Sequence, residues 1–398
     1  MIHRKGSNWQ MSKKVIMKLS TIMQKLIKKM SIGESEKILL PHIIANINYD
    51  TSNNQKKVLI SYLDLCITAE NISTGKIHTN NLELYKIIQY FISRNYCIDV
   101  CACNDISALE YARKQRYDII FGLGKVYRGL WEQNAFHIQY MTENPYSISY
   151  EKEKERLDYL YERKGMKADF CRTGKYYQEH DEERADMIIC TGDPRYYQQT
   201  GKLVRRTWPS AMINKTVIDF TNRKQNSFLV LGSNGFVHKG NDLLIEVFNK
   251  HSEWELYLCG NNVTEQAGEY GYSLNQNVHD CGYIDIQSKQ FVELVEKCTF
   301  ILLPSCSEAP STAVMTGMCH GMIPIIMHGN GMDELTEYCE FFDDYRIKSI
   351  EEKLQEVQKM KDEEIIMREK KVQEYACSKY TLNLFYEQFA DIMDTITG

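Results

Sequence analysis

The apolar positions of this chain change rhythm near residue 57. Before that point, Val15, Leu19, Ile22, Leu26 and Met30 recur at helical spacing, with Lys14, Lys18, Lys25 and Lys29 on the opposite face. Residues 1–57 therefore read as an N-terminal extension with a basic amphipathic helix over 13–30. Beyond it, short apolar runs alternate with amphipathic stretches. Strands are expected over 58–63, 98–103 and 118–122, with helices over 80–95 and 107–115 between them. A polar and charged stretch, 151–184, reads as helical, and 185–191 as another strand. Trp208-Pro209 marks the end of this first domain.

The alternation then restarts. Strands are expected over 228–232, 255–260, 300–304 and 323–327, and helices over 241–249, 289–297 and 310–320. A charged helix over 349–371 and an amphipathic one over 382–396 close the chain. The pattern implies an α/β protein with two Rossmann-like domains, 58–212 and 213–373, facing a central cleft. A C-terminal helix, 374–398, has the option of crossing back to the first domain. Ligands of such folds sit at the carboxyl ends of the parallel strands.

Composition narrows the class. A length of 398 residues exceeds one ordinary core, and 43% hydrophobic with 25% charged residues describes a folded, water-soluble chain. A net charge of −5 argues against nucleic-acid binding. No apolar run approaches the ~18–20 residues that cross a bilayer, and residues 1–14 lack the apolar core of a signal peptide. A cytoplasmic location follows. The 13–30 helix would either lie on an anionic membrane surface on the inner face or pack on its own protein with its lysines in water. The 13 cysteines are odd in number and scattered, and the cluster Cys97, Cys101 and Cys103 has no histidine near it. Reduced, buried thiols and no metal site are expected.

Two segments carry candidate chemistry. Residues 232–244, GSNGFVHKGNDLL, join a strand to a helix through glycines, Gly235 among them, that let backbone approach a phosphate. Lys239 supplies a point charge suited to a diphosphate, although taken alone it reads better as a solvated loop lysine. Residues 304–321, PSCSEAPSTAVMTGMCHG, place Glu308 in a short loop and Pro310 at the expected first helical position. Ser311 and Thr312 offer hydroxyls and amides at that helix start, a seat for an anion. Glu308 would repel phosphate there, so it should face sugar hydroxyls, or else cap the helix.

With Gly282-Tyr283-Ile284 and Gly329-Asn330-Gly331, these segments resemble the donor-binding domain of retaining GT-B glycosyltransferases of the glycosyltransferase group 1 family. The resemblance covers roughly 226–335. It implies the GT-B architecture, with 58–212 on the acceptor side and 213–373 binding the donor. Lys239 would neutralise the donor diphosphate, Glu308 would bind the donor sugar, and Tyr283 and Ile284 would meet the base. One departure stands out: the family pattern Glu-x7-Glu ends here at Thr316, a neutral hydroxyl where a carboxylate would hold the ribose.

In the first domain, residues 75–83 resemble a bacterial subgroup with a His-Thr-Asn-x-x-Glu helix start, which places His78 and Asn81 at the cleft; helix capping is the plainer alternative. Thr142 or Glu143 stands where many relatives keep a histidine, His137 reads as a strand residue, and no catalytic base is assigned. Gly122-Leu-Gly124 is no dinucleotide fingerprint, since Tyr127 occupies the third glycine position.

The family implies transfer of a sugar, with retention and without metal or cofactor, from a nucleotide diphosphate-sugar co-substrate to a glycan or lipid-linked glycan acceptor, as in bacterial polysaccharide biosynthesis. A nucleotide-sugar epimerase and a non-catalytic binding or scaffold subunit remain alternatives, the latter because of Thr316.

Overall fold

A computed structural model describes residues 43–50, 54–63, 79–232 and 235–397. The basic helix expected over 13–30 and His78 lie outside them. The chain divides into two compact units, 1–120 with 125–135, and 121–124 with 136–398.

In the first unit, β2 (Lys57–Tyr62) runs parallel to β3 (Cys97–Ala102), and β1 (Ile43–Ile47) pairs antiparallel on the other side of β3. β1 falls within the stretch read as an extension. Its ladder shifts register, and Asn46 adopts a left-handed φ of 57°, so it carries no clean two-residue alternation. Helix α1 (Thr79–Ser93) buries Leu84, Ile87, Ile88 and Phe91, the stripe its spacing predicts. Helix α2 (Ile106–Ala112) starts at Asp105, whose side chain accepts from the Ala108 amide. Asp99, inside β3, is fully buried and compensated by Lys57 Nζ at 2.8 Å and by the Tyr117 hydroxyl, which donates at 2.8 Å.

Strand β4 (Ile119–Gly122) stands at the division. The second unit then sets β5 (Phe136–Met141), β6 (Met187–Cys190) and β7 (Leu203–Arg206) side by side in parallel. Between β5 and β6, helix α3 (Tyr146–Lys164) stops at Gly165, which caps it in the left-handed region at φ 65°. The expected helix over 151–184 is thus half as long. Beyond Gly165 the chain is irregular apart from one 3-10 turn at Asp181–Arg184.

A six-stranded parallel sheet follows, of order β10-β9-β8-β11-β12-β13. Its elements are β8 (Lys224–Leu231), α4 (Asn241–Phe248), β9 (Glu255–Cys259), α5 (Val263–Glu269), β10 (Val278–Asp280), α6 (Lys289–Lys297), β11 (Cys298–Leu303), α7 (Thr312–Cys319), β12 (Ile323–Met327) and β13 (Glu340–Phe342). The inner strands are covered on both faces, which explains why β11, CTFILL, is an unbroken buried run. Strand order reverses between β8 and β11. This is the switch point at whose carboxyl end an open α/β sheet binds ligands, and both candidate segments emerge there.

Three helices close the unit: α8 (Ile347–Val357), α9 (Asp362–Lys379) and α10 (Leu382–Thr397). The single helix expected over 349–371 is in fact two. Asp362, Glu363 and Glu364 in the first turn of α9 suit a new helix N-terminus. Helix α3 joins this body: Leu160 packs in its core with Leu244 and Phe248, and Arg156 and Arg163 both engage the buried Asp242 of α4. The described cysteines are free thiols, most of them buried. Among the described residues, no helix is long and apolar enough to cross a membrane.

Candidate active site

The turn after β8 and the loop after β11 are stitched together by backbone. Gly240, at φ 78°, forms the N-cap of α4, and a Cβ there would meet the Pro304 carbonyl at 2.5 Å. Only glycine allows both the left-handed conformation and this approach. The His238 carbonyl accepts from the Cys306 amide at 3.0 Å and from the Ser305 hydroxyl at 3.2 Å. These contacts bring the Lys239 ammonium directly onto the Glu308 carboxylate, which also accepts from the Ser305 hydroxyl at 2.9 Å. Lys239 and Glu308 are 7% and 8% exposed. The Glu308 amide donates to Asn330 Oδ1 at 2.9 Å, and Asn330 Nδ2 returns to the Ser305 carbonyl at 3.2 Å. The asparagine of Gly329-Asn330-Gly331 thus fixes the Glu308 loop.

Burial pushes the Glu308 carboxyl up, but Lys239, then Arg172, then His238 outweigh it and bring it down to about 2. Glu308 is therefore a carboxylate throughout the physiological range. His238 stands behind it. Its Nδ1 lies 3.1 Å from Glu153 Oε1 and 3.5 Å from the Cys306 sulfur, and its Nε2 donates to the Ser307 carbonyl at 2.8 Å. Burial lowers this imidazole, yet Cys306, Glu153 and Glu308 raise it to about 10, so it is an imidazolium. Glu153 in turn is pushed up by burial and pulled down to about 2 by His238 and Thr173.

Glu153 organises more than the histidine. Its carboxylate accepts from the amides of Cys171, Arg172 and Thr173 at 2.8, 3.3 and 2.9 Å, and from the Thr173 hydroxyl at 2.5 Å. The irregular segment after α3 is thereby held against the turn after β8, through His238. Arg172 pairs with Glu143, and Asn144 Nδ2 donates to Ser307 Oγ and to the Gly329 carbonyl, both at 3.1 Å. Sequence reasoning missed Glu153, Arg172 and His238. One signal was present: in a helix rich in charged residues, Ser149, Glu153, Arg156 and Leu160 share one helical face, and all four are buried.

The other candidates distribute as follows. Gly235, at φ 115°, sits where a Cβ would lie 3.5–3.7 Å from His238, Cys171 and Lys239, so conformation rather than space demands glycine. Ser311 is the N-cap of α7 and Thr312 its first residue; Pro310 therefore precedes the helix instead of opening it. The extended ψ of 118° at Ser311 sets this boundary. The Thr316 hydroxyl donates to the Thr312 carbonyl at 2.7 Å and accepts from the Met212 amide at 3.2 Å, and the residue is 3% exposed. Tyr283 is 60% exposed, whereas the Ile284 side chain packs among Leu229, Tyr257 and Phe291. Asn81 lies half-buried in the first turn of α1, in the other unit.

Residues 215–376, which hold the switch point and both stitched loops, match the family described as glycosyl transferases group 1. This stretch is similar to the glycosyl transferases of group 1. No curated protein sequence matches the chain. Solved structures share its fold. A sucrose-phosphate synthase from Thermosynechococcus elongatus superposes with a TM-score of 0.57 at 12% identity, over 86% of this chain and 99% of that one. HepE from Anabaena, in complex with UDP and glucose, gives 0.54 at 10% identity over 86% and 100%. The lipopolysaccharide outer core galactosyltransferase WaaB, in its apo form, gives 0.54 at 13% identity over 86% and 99%. The fold is the GT-B fold of these enzymes.

Proposed function

We propose that this glycosyltransferase moves a sugar from a nucleotide diphosphate-sugar to a glycan or lipid-linked glycan acceptor, with retention at the anomeric carbon and without a bound metal. The observation that carries the reading is the contact of Lys239 with Glu308 at the carboxyl ends of β8 and β11. Cleavage of the donor places negative charge on the leaving diphosphate. Lys239 and the N-termini of α4 and α7 would stabilise that charge, and losing one such contact typically slows turnover by about 10²–10³-fold. Glu308, held ionised, would accept hydrogen bonds from sugar hydroxyls. HepE, with the same fold, binds UDP and glucose, which supports a donor of this class.

The experiment is transfer from UDP-, GDP-, ADP- and CDP-sugars to glycan and lipid-linked acceptors, with the anomeric configuration of the product read by proton NMR. Retention and full activity in chelator are expected; an inverted product, or turnover that chelator abolishes, would refute those parts. A non-catalytic binding subunit is the second reading, favoured by the Thr316 hydroxyl, which is already shared between Met212 and Thr312. It predicts binding of a nucleotide without turnover on any acceptor.

A further inference from the structure

We propose that Arg172 is a second donor-binding residue, a guanidinium that takes one side of the diphosphate while Lys239 takes the other. The inference rests on the donor reading above. A nucleotide diphosphate-sugar carries more than one negative charge, and Lys239, already paired with Glu308, offers only one ammonium. His238 cannot turn to help, because Glu153 and the Ser307 carbonyl occupy its two ring nitrogens. A Cβ built on Gly235 would lie 3.6 Å from Cys171 Sγ and 3.7 Å from Lys239 Cγ, which sets the backbone that carries Arg172 beside the Lys239 turn. After Lys239, the Arg172 guanidinium acts most strongly on the Glu308 carboxylate.

Its geometry leaves it able to bind. Nε donates to Glu143 Oε1 at 3.2 Å and Nη2 donates to the same oxygen, whereas Nη1 has no hydrogen bond among the described residues. The side chain is 24% exposed, so a ligand can reach it. A planar fork suits a diphosphate, where two oxygens can be engaged in parallel. The backbone beneath it is fixed, since Glu153 accepts the amides on either side of Arg172 as well as its own. Arg172 also lies outside residues 215–376, so the family match does not include it. Exchange of Glu143 for phosphate on the guanidinium would couple donor entry to this segment.

The test is calorimetric titration of UDP, GDP, ADP and CDP into the full chain, with ligand-observed NMR of the matching nucleosides as phosphate-free controls. For the nucleotide that binds, Arg172→Gln should weaken the diphosphate at least tenfold and leave the nucleoside unchanged. Arg172→Lys should recover part of the loss, and Glu143→Gln should tighten the diphosphate. If the wild type binds and Lys239→Ala does not, but Arg172→Gln binds as the wild type does, the role of Arg172 is refuted and the donor reading stands. Equal weakening of nucleoside and diphosphate would make Arg172 a structural residue and also overturn the proposal. If the wild type binds none of the four, the donor reading falls and this inference with it.

Discussion

His238 and Glu153 form an ion pair with both side chains almost wholly buried, 3% and 1% exposed, and Nδ1 at 3.1 Å from Oε1. The pair ties helix α3 to the turn that carries Lys239, and it makes stability depend on pH. His238 titrates near 10 in the folded chain against an ordinary 6.5, so its contribution is complete below about pH 6.5 and fades as pH rises toward 10. Glu153 titrates near 2 against 4.5, so its contribution is complete above about pH 4.5 and is lost as pH falls toward 2. Urea unfolding should show a plateau between about pH 4.5 and 6.5. Glu153→Gln should lower it by about 3 kcal/mol and flatten the alkaline decline. An unchanged alkaline slope would contradict the pairing.

Gly240 should tolerate no side chain. Its left-handed φ and the Pro304 carbonyl 2.5 Å from an added Cβ together predict a loss of about 3 kcal/mol for Gly240→Ala. Gly165, with φ 65° and nothing within 4 Å, isolates the conformational part, and Gly165→Ala should cost about 1 kcal/mol. Equal losses in thermal unfolding would show that the approach to Pro304 is unimportant.

Thr316→Val removes the partner of the Met212 amide and should destabilise by about 1–2 kcal/mol while leaving nucleoside diphosphate affinity unchanged. A tenfold loss of affinity with unaltered stability would instead assign the hydroxyl to the ribose.

Asp242 is the shared acceptor of Arg156 and Arg163, and two of these three residues are fully buried. Asp242→Ala strands a buried guanidinium and should cost about 3–5 kcal/mol in urea unfolding. A loss under 1 kcal/mol would mean that the clamp between α3 and α4 adds little.

What the sequence makes legible follows from burial. Strands β11 and β12 sit inside a parallel sheet with both faces covered, so, unlike β8, which begins four residues before its apolar run with the polar Lys224-Gln-Asn-Ser, they stand out as apolar runs within a residue or two of their ends. Edge strands do not: β7, LVRR, is half exposed, and β1 is irregular, and neither has an alternation to read. Lys239 and Glu308 could be singled out because each lies in a local strand–turn–helix segment, and the roles suggested for them came from the resemblance of those segments to a known family. Glu153 and Arg172 are invisible to that reasoning. Their roles arise from a charged helix docking a polar stripe against a turn a full α/β repeat away, and no local propensity encodes that pairing. The stop of α3 at Gly165 was hidden in the same way, by a charged stretch with no apolar period to end.

The central claim is that Lys239 and Glu308 mark a nucleotide diphosphate-sugar site, and thermal shift against UDP-, GDP-, ADP- and CDP-sugars tests it most directly. A donor at about 100 times its dissociation constant stabilises the folded chain by about 2.7 kcal/mol, a readable rise in midpoint. The account predicts that one nucleotide class raises the midpoint of the wild type and fails to raise that of Lys239→Ala. A shift of equal size in both proteins, or none across the panel, would contradict it.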